Sequence, residues 1–489
     1  MKNKALNIAF YLCIFIGLFS FFYIAHPMIL FNADDWTYVS YWRRPLPIPG
    51  SFNGIKVFPE TFFAFVSEIG AYVVYPFLKD YLKSMAFIYA FVVSGAILVY
   101  VMLLERVIRR VNKEEWSSRA ITLIFLFLHF LIFKNDWTGN EHLFYAQDPN
   151  CVFNYILPAL LNAGLVLFLM EKEWDGTSIS ADILQKRVGA AGAAALVLAM
   201  YLSVFSSMFH NIIFATFCGV KLITFLPKKF NNTELKKFMS NTWFYVSGLG
   251  LWFVALIVQA MDQRNAAVKQ QESKAGLSEA ILGFVKKMGS VNKMAALIII
   301  VIIAIAIIRA VREKLKMNAM PVIIASGILT TIYLILMAAV AGKGYIKRSD
   351  VLVSAFFWAF TAVALMLAYI MKESRLSLVL LVLTFILGAQ SLNYCKSYAD
   401  YNVFGLAWEQ TYAAGQDILA QFEEADEKGM SELELHVTDN EAWNNTWPYP
   451  EYVGDAISDT LFRHGIIKKQ IKTTVVYDKS KNAELGINY

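Results

Sequence analysis

Long apolar runs dominate the chain, and they constrain its fold more than any motif does. A helix that crosses the hydrocarbon core of a bilayer needs about 20 mostly apolar residues. Segments near 5–26, 82–104, 118–134, 152–170, 188–208, 211–227, 240–260, 294–311, 320–341, 351–371 and 376–394 meet that requirement. Backbone N–H and C=O groups in lipid must find partners within the chain, so runs of this length read as helices. The expected fold class is therefore an all-α polytopic membrane protein, with about 11 transmembrane helices spread over residues 1–395. Composition agrees: 57% of the residues are hydrophobic and 17% charged, where soluble domains carry about a quarter charged residues.

The first run follows Lys2 and Lys4. It is too long for a signal-peptide core, and no small-residue cleavage pattern follows it, so it is expected to remain as the first span. Lys and Arg in short loops stay on the cytoplasmic side. One set of alternate connections holds Lys2 and Lys4; Arg106, Arg109, Arg110 and Lys113; Lys186 and Arg187; Lys228, Lys229, Lys236 and Lys237; Arg309, Arg312, Lys314 and Lys316; Lys372 and Arg375. That set is expected to be cytoplasmic, which puts the N-terminus inside, the C-terminus outside, and the chain in the cell membrane. The net charge of +6 falls mostly in these loops. No basic run interleaved with aromatics points to nucleic acid, and none is expected as a partner.

The other connections are longer and richer in Trp, Tyr and acidic residues. They are the outer loops 27–81, 134–150, 261–293 and 342–350. Residues 59–79 of the first are aromatic-rich with few charges, which suits a helix lying in the interface. Residues 396–489 change character and carry few apolar runs. A helical pattern over 404–426 and alternation over 431–437 and 472–477 predict a small α/β extracytoplasmic domain. Of the four cysteines, Cys13 and Cys218 sit in apolar runs, and no pair has metal-ligand spacing. Cys151 and Cys395 fall near the same membrane face, which leaves a bridge between them open.

Asp34-Asp35 is the sharpest polar feature. Two adjacent carboxylates lie just beyond the first span, where like charges raise at least one pKa and suit acid–base work. The plainer role is a helix N-cap or a solvated loop. Arg348 and Lys347 sit at the outer end of a span, where a lipid phosphate would lie, and Arg offers a planar fork for phosphate oxygens. Arg43 and Arg44 compete for that role, and headgroup anchoring is the plainer one for all four. Glu60 and Glu68 can meet sugar hydroxyls, or simply form the polar face of the interfacial helix. Trp36, Trp137 and Tyr155 can stack on sugar rings, or belong to the aromatic belt. Asp136, Glu141, His142 and Asp148 form a polar cluster. These ligand types suit a divalent cation, but the irregular spacing does not favour one. His210 would face outside beside a donor, with an interhelical hydrogen bond as the alternative.

The arrangement resembles the GT-C superfamily of membrane glycosyltransferases. The residues that carry the likeness are Asn32-Ala33-Asp34-Asp35-Trp36, Trp137-Thr138-Gly139, Asn154-Tyr155-Ile156-Leu157-Pro158 and Tyr345-Ile346-Lys347-Arg348-Ser349. More narrowly, the chain looks like bacterial members that decorate cell-surface polysaccharides. The resemblance implies an inverting transferase that moves a monosaccharide from a polyprenyl-phosphate donor, usually undecaprenyl-linked, to a glycan or glycolipid acceptor on the outer face. It implies that the general base is Asp34 or Asp35. It also implies that Asn154, Tyr155 and Tyr345 lie near the substrates, and that a metal cofactor is not generally needed. Two other functions compete. A transporter or flippase of lipid-linked sugars needs polar residues deep in the spans and broken helices, and the spans here are nearly free of charge. A membrane acyltransferase would rest on a buried histidine, for which His129 is the candidate.

Overall fold

The computed structural model describes residues 2–134, 139–227, 231–264, 276–313, 317–372 and 377–489, and they are mostly helical. Among the described residues, nine helices are long and apolar enough to cross a membrane. Eight of them coincide with predicted spans: Ala5–Ala25, Tyr81–Val111, Pro149–Lys172, Asn232–Ala260, Lys293–Glu313, Met320–Ala341, Ser349–Met371 and Leu378–Ser397. The ninth, Val57–Leu78, belongs to the first predicted outer loop.

Three predicted spans come out short. They are Glu115–Leu131 (17 residues), Gly189–Val204 (16 residues) and Asn211–Thr224 (14 residues). At 1.5 Å per residue they reach only about 21–26 Å. Competing hydrogen bonds explain the early ends. Between the last two helices, the Asn211 amide donates to the Val204 carbonyl and the Ser206 hydroxyl to the Ser203 carbonyl. Such local side-chain bonds offer the backbone an alternative to the helix ladder. The end of Glu115–Leu131 loses its carbonyls to other segments: Leu143 N donates to His129 O, and the Tyr398 hydroxyl donates to Phe130 O.

Val57–Leu78 packs against several other helices. The Phe63 ring sits 5.4 Å from Tyr89 and 4.7 Å from Phe153, and Phe58 N donates to Phe205 O. Phe153 and Phe205 are near the ends of their helices, whereas Tyr89 is the ninth residue of Tyr81–Val111, so the segment also packs along the side of that helix. Gly70 makes the close approach: a Cβ there would meet Met85 Cε at 2.8 Å.

At the opposite end, two cations meet acidic partners. Arg110 pairs with Glu171 (2.5 Å) and Lys221 with Glu173 (2.7 Å). The helix Pro149–Lys172 starts beside Asp148 and ends beside Glu171, and its 24 residues measure about 36 Å. The two polar ends are thus separated by roughly the thickness of a bilayer core. Lys228, Lys229, Lys314, Lys316 and Arg375 fall outside the described residues.

The C-terminal segment packs helices Trp408–Glu427 and Val453–Arg463 and the short helix Lys479–Leu485 around a two-stranded parallel sheet. Strand β1 is Glu432–Thr438 and β2 is Lys472–Asp478, with Leu435 opposite Val475. The segment sits on the loop end of the bundle. The Thr460 hydroxyl donates to Trp36 O (2.9 Å), and the Tyr81 hydroxyl meets His464 Nδ1 (2.7 Å). Tyr412 donates to Asp80, and His26 pairs with Asp400. All four cysteines are free, so Cys151 and Cys395 are not bridged.

Candidate functional site

The Asn32-to-Tyr38 sequence folds as a one-and-a-half-turn helix, Ala33–Tyr38, with Asn32 extended at its N-cap. Asp35 reaches back to the start of this helix. One carboxylate oxygen accepts from Asn32 N (3.1 Å) and Phe31 N (3.2 Å), and the other from Asn150 N (2.9 Å). Asp35 thereby satisfies donors that a helix start leaves open, and it ties the first loop to the second. It is fully buried. Burial pushes its pKa up, Asp148's charge adds to that, and the three N–H donors oppose it. Trp36 is also fully buried, stacked 6.4 Å from Tyr81, and offers no face to a sugar.

Asp34 turns the other way, into a cavity of about 430 Å³. Among the described residues, none hydrogen-bonds or ion-pairs with its carboxylate. The cavity also holds Asp148, the cations Lys56, Arg264 and Arg348, the amides Gln147, Asn150 and Asn154, and the rings of Tyr155, Tyr345, Trp443 and Trp447. Asp148 caps a helical turn by accepting from Cys151 N. Its pKa is pushed up to about 6, first by burial and then by the charge of Asp34.

Each cation is held differently. Arg348 forms a fork on Asp350 (3.0 and 2.6 Å), donates to Cys151 Sγ (3.3 Å) and lies 4.4 Å over the Tyr155 ring. His210 Nε2 lies 2.8 Å from the Asp350 carbonyl, and Nδ1 lies 3.1 Å from Ser207 Oγ. His210 therefore braces the turn that carries Arg348 and does not line the cavity. Asp262 accepts from Gly54 N (2.9 Å) and Arg264 N (2.7 Å), joining the first loop to the third. Gly54 is needed there, because a Cβ would meet Val258 at 2.8 Å. Lys56 stands at the cap of Val57–Ile69. Burial holds its ammonium below the usual range, and Glu60 works against that.

A second cavity, about 270 Å³, shares Lys56, Tyr155, Arg264 and Tyr345 with the first. Its remaining wall is mostly apolar, with Leu256, Ala260, Met337, Val340 and Ala341 from the Asn232–Ala260 and Met320–Ala341 helices. The polar chamber thus continues into an apolar groove between two long helices.

Of the residues singled out in the sequence, the fold brings Asp34, Arg348, Asn154, Tyr155 and Tyr345 to this chamber. Others have different partners. Arg43 and Glu60 form a buried ion pair (2.7 Å), and Arg44 and Lys347 are exposed away from the cavity. Glu68 accepts from the Trp42 indole. Glu141 pairs with Lys287 (2.6 Å) and accepts from the Ser349 hydroxyl. His142 is buried among Phe21, Phe130 and Tyr398, and neither ring nitrogen has a partner among the described residues. Burial, and then His26, hold its pKa well below the usual value. His129 is enclosed too, with Nδ1 2.8 Å from Phe125 O and Nε2 3.3 Å from the Tyr100 hydroxyl. Asp136 and Trp137 lie outside the described residues.

Sequence reasoning missed Lys56, Arg264, Trp443 and Trp447, and it read Asp148 only as part of a loop cluster. Asp148-Pro149 before an apolar run is an N-cap signature that marks Asp148 as fixed in place. Nothing local marks the other four. Among the described residues, no group of three or more His, Cys, Asp or Glu side chains is arranged to hold a metal. No family model, no curated protein and no solved structure matches the chain.

Proposed function

We propose that the chain is an inverting membrane glycosyltransferase, taking a monosaccharide from a polyprenyl-phosphate donor and transferring it to a glycan or glycolipid hydroxyl. The observation that carries this is the joined pair of cavities: an unpartnered carboxylate, Asp34, faces Arg348, Lys56 and Arg264 in a chamber that runs into an apolar groove. A lipid phosphate suits that boundary. Its isoprenoid chain fits between the Asn232–Ala260 and Met320–Ala341 helices, and its phosphate meets the cations at the mouth. Such donors generally need no metal.

In the reaction, Asp34 accepts the proton of the acceptor hydroxyl as that oxygen attacks the anomeric carbon. The bond from that carbon to the phosphate oxygen breaks, and its electron pair leaves on the lipid phosphate. Arg348, with Lys56 and Arg264, meets the negative charge left there. Asp35 is the less suitable base, because its oxygens are committed to three backbone N–H groups. The site then lies on the extracytoplasmic face of the cell membrane, with the basic end of the bundle and the N-terminus in the cytoplasm. Residues 396–489 form an outer domain over the chamber.

The test is turnover of undecaprenyl-phosphate hexose by purified protein, read as released undecaprenyl phosphate. Asp34→Asn should lower turnover by about 10²–10⁴-fold and leave the melting temperature unchanged. Asp35→Asn turns an NH₂ toward N–H donors and should destabilise the fold by about 1–3 kcal/mol. Full turnover in Asp34→Asn would overturn the assignment. Movement of the intact donor across a vesicle bilayer without cleavage would favour a flippase.

A further inference from the structure

The chamber has two unlike sides. Lys56, Tyr155, Arg264 and Tyr345 form the side shared with the apolar groove. Trp443, Trp447 and Val403 come from the C-terminal segment and touch only the polar chamber. A donor that arrives from the bilayer occupies the first side, so the second faces whatever arrives from water.

That second side is built for a ring. Trp443 is 49% exposed, so part of its ring is open to a ligand. Phe404 supports it edge-on at 5.2 Å, and Phe404 itself packs on Tyr489 at 4.7 Å. The loop is held as firmly as a wall needs to be. Asn440 N donates to Asn445 Oδ1 (2.6 Å), and Asn440 Nδ2 donates to Trp447 O (2.8 Å). Ala33 N donates to Pro448 O (3.0 Å), so the residue beside Asp34 and the residue beside Trp447 share a hydrogen bond. Near them, the amide oxygen of Asn154 is buried without a partner at the cavity wall, while its NH₂ is spent on Asn150. An unsatisfied acceptor of this kind suits a ligand hydroxyl.

We propose that Trp443 and Trp447 form a carbohydrate platform on which the acceptor sugar stacks, with Asn154 Oδ1 accepting from one of its hydroxyls. Sugar rings carry C–H faces that pack on indoles and hydroxyl edges that need acceptors, and this wall offers both beside Asp34. The acceptor class that follows is a glycan presented from the aqueous side, reaching the chamber beneath the C-terminal segment. The platform rests on the transferase assignment for its biological use, but its binding can be measured without turnover.

The experiment is saturation-transfer difference NMR on the full chain in nanodiscs, with methyl α- and β-hexosides as probes. Wild type should transfer saturation to the ring C–H protons of at least one hexoside. Trp443→Ala and Trp447→Ala should each weaken that binding by about tenfold. Trp443→Phe and Trp447→Phe should retain most of it, which a purely structural role for the loop would not produce. Hexoside binding that persists in the Trp443→Ala/Trp447→Ala double variant would overturn the platform, as would no binding by wild type. Binding at the tryptophans with no donor turnover by wild type would overturn the transferase assignment and leave the platform standing.

Discussion

Successive residues on a helix point about 100° apart, so one short helix can hold adjacent carboxylates in different surroundings. Asp35 lies in a dry nest of backbone donors, while Asp34 faces a polar chamber with no partner among the described residues. The doublet was legible in the sequence. Which member was free was not, because the distinguishing contact is Asn150 N, more than a hundred positions along the chain. The same applies to Arg348, which was legible as a cation at a helix end, and to Asp350 and Tyr155, which hold it. Asp148 carries the pH prediction at this scale. Its carboxyl sits at about 6 in the fold, raised first by burial and then by Asp34, against about 3.9 when unfolded. A raised carboxyl favours the folded state fully below the unfolded pKa, and that contribution is lost as pH rises through 6. Above that the ionised group costs on the order of 3 kcal/mol. Asp148→Asn keeps a capping side chain and removes the charge. Its melting temperature should exceed that of wild type at neutral pH, and the gap should close as pH falls toward about 4.

Helix type and position were largely legible, since length and hydropathy decide both. Span length was less so. An apolar window does not show where side-chain hydroxyls and amides take over carbonyls, and this is what shortens Gly189–Val204 and Asn211–Thr224. Nor does hydropathy separate a helix that crosses the bilayer from one that lies in its interface. Val57–Leu78, expected in the interface, is also long and apolar enough to span, and its Phe63 ring packs on Tyr89 and Phe153. The groove between Asn232–Ala260 and Met320–Ala341 was not legible at all, because it exists only once those helices are paired. It supports a prediction at this scale. Ala341→Trp fills the groove just below its mouth. The KM for undecaprenyl-phosphate hexose should rise about tenfold or more, while a methyl-phosphate hexose, which has no isoprenoid to place in the groove, should be little affected. Equal KM changes for the two donors would place the isoprenoid elsewhere. A fall in kcat with unchanged KM would point to a disturbed chamber instead.

The molecule depends on contacts between its first and last segments. Composition and alternation made the strands and helix of residues 396–489 legible, and β1, β2 and Trp408–Glu427 lie close to where the pattern put them. What the segment does was hidden, because its contacts on Ala33, Trp36 and Tyr81 are all long-range. His464 sits in that interface, and burial, with Arg463 adding, lowers its pKa to about 4. A histidine depressed in the fold contributes stability that is full above about 6.5 and is lost as pH falls toward 4. Protection factors for amide exchange in Val453–Arg463, which take out the intrinsic slowing of exchange at lower pH, should therefore fall between about pH 6.5 and pH 5 in wild type, and much less in His464→Gln. Equal pH sensitivity in both would assign the effect to another group.

The hydrogen bond from Thr460 to Trp36 joins residues 424 positions apart. The loop bearing Asp34 therefore leans on a segment encoded hundreds of codons further along. A lesion in Val453–Arg463, remote in sequence, would strip the cover from Trp36 as surely as a lesion beside Trp36 itself.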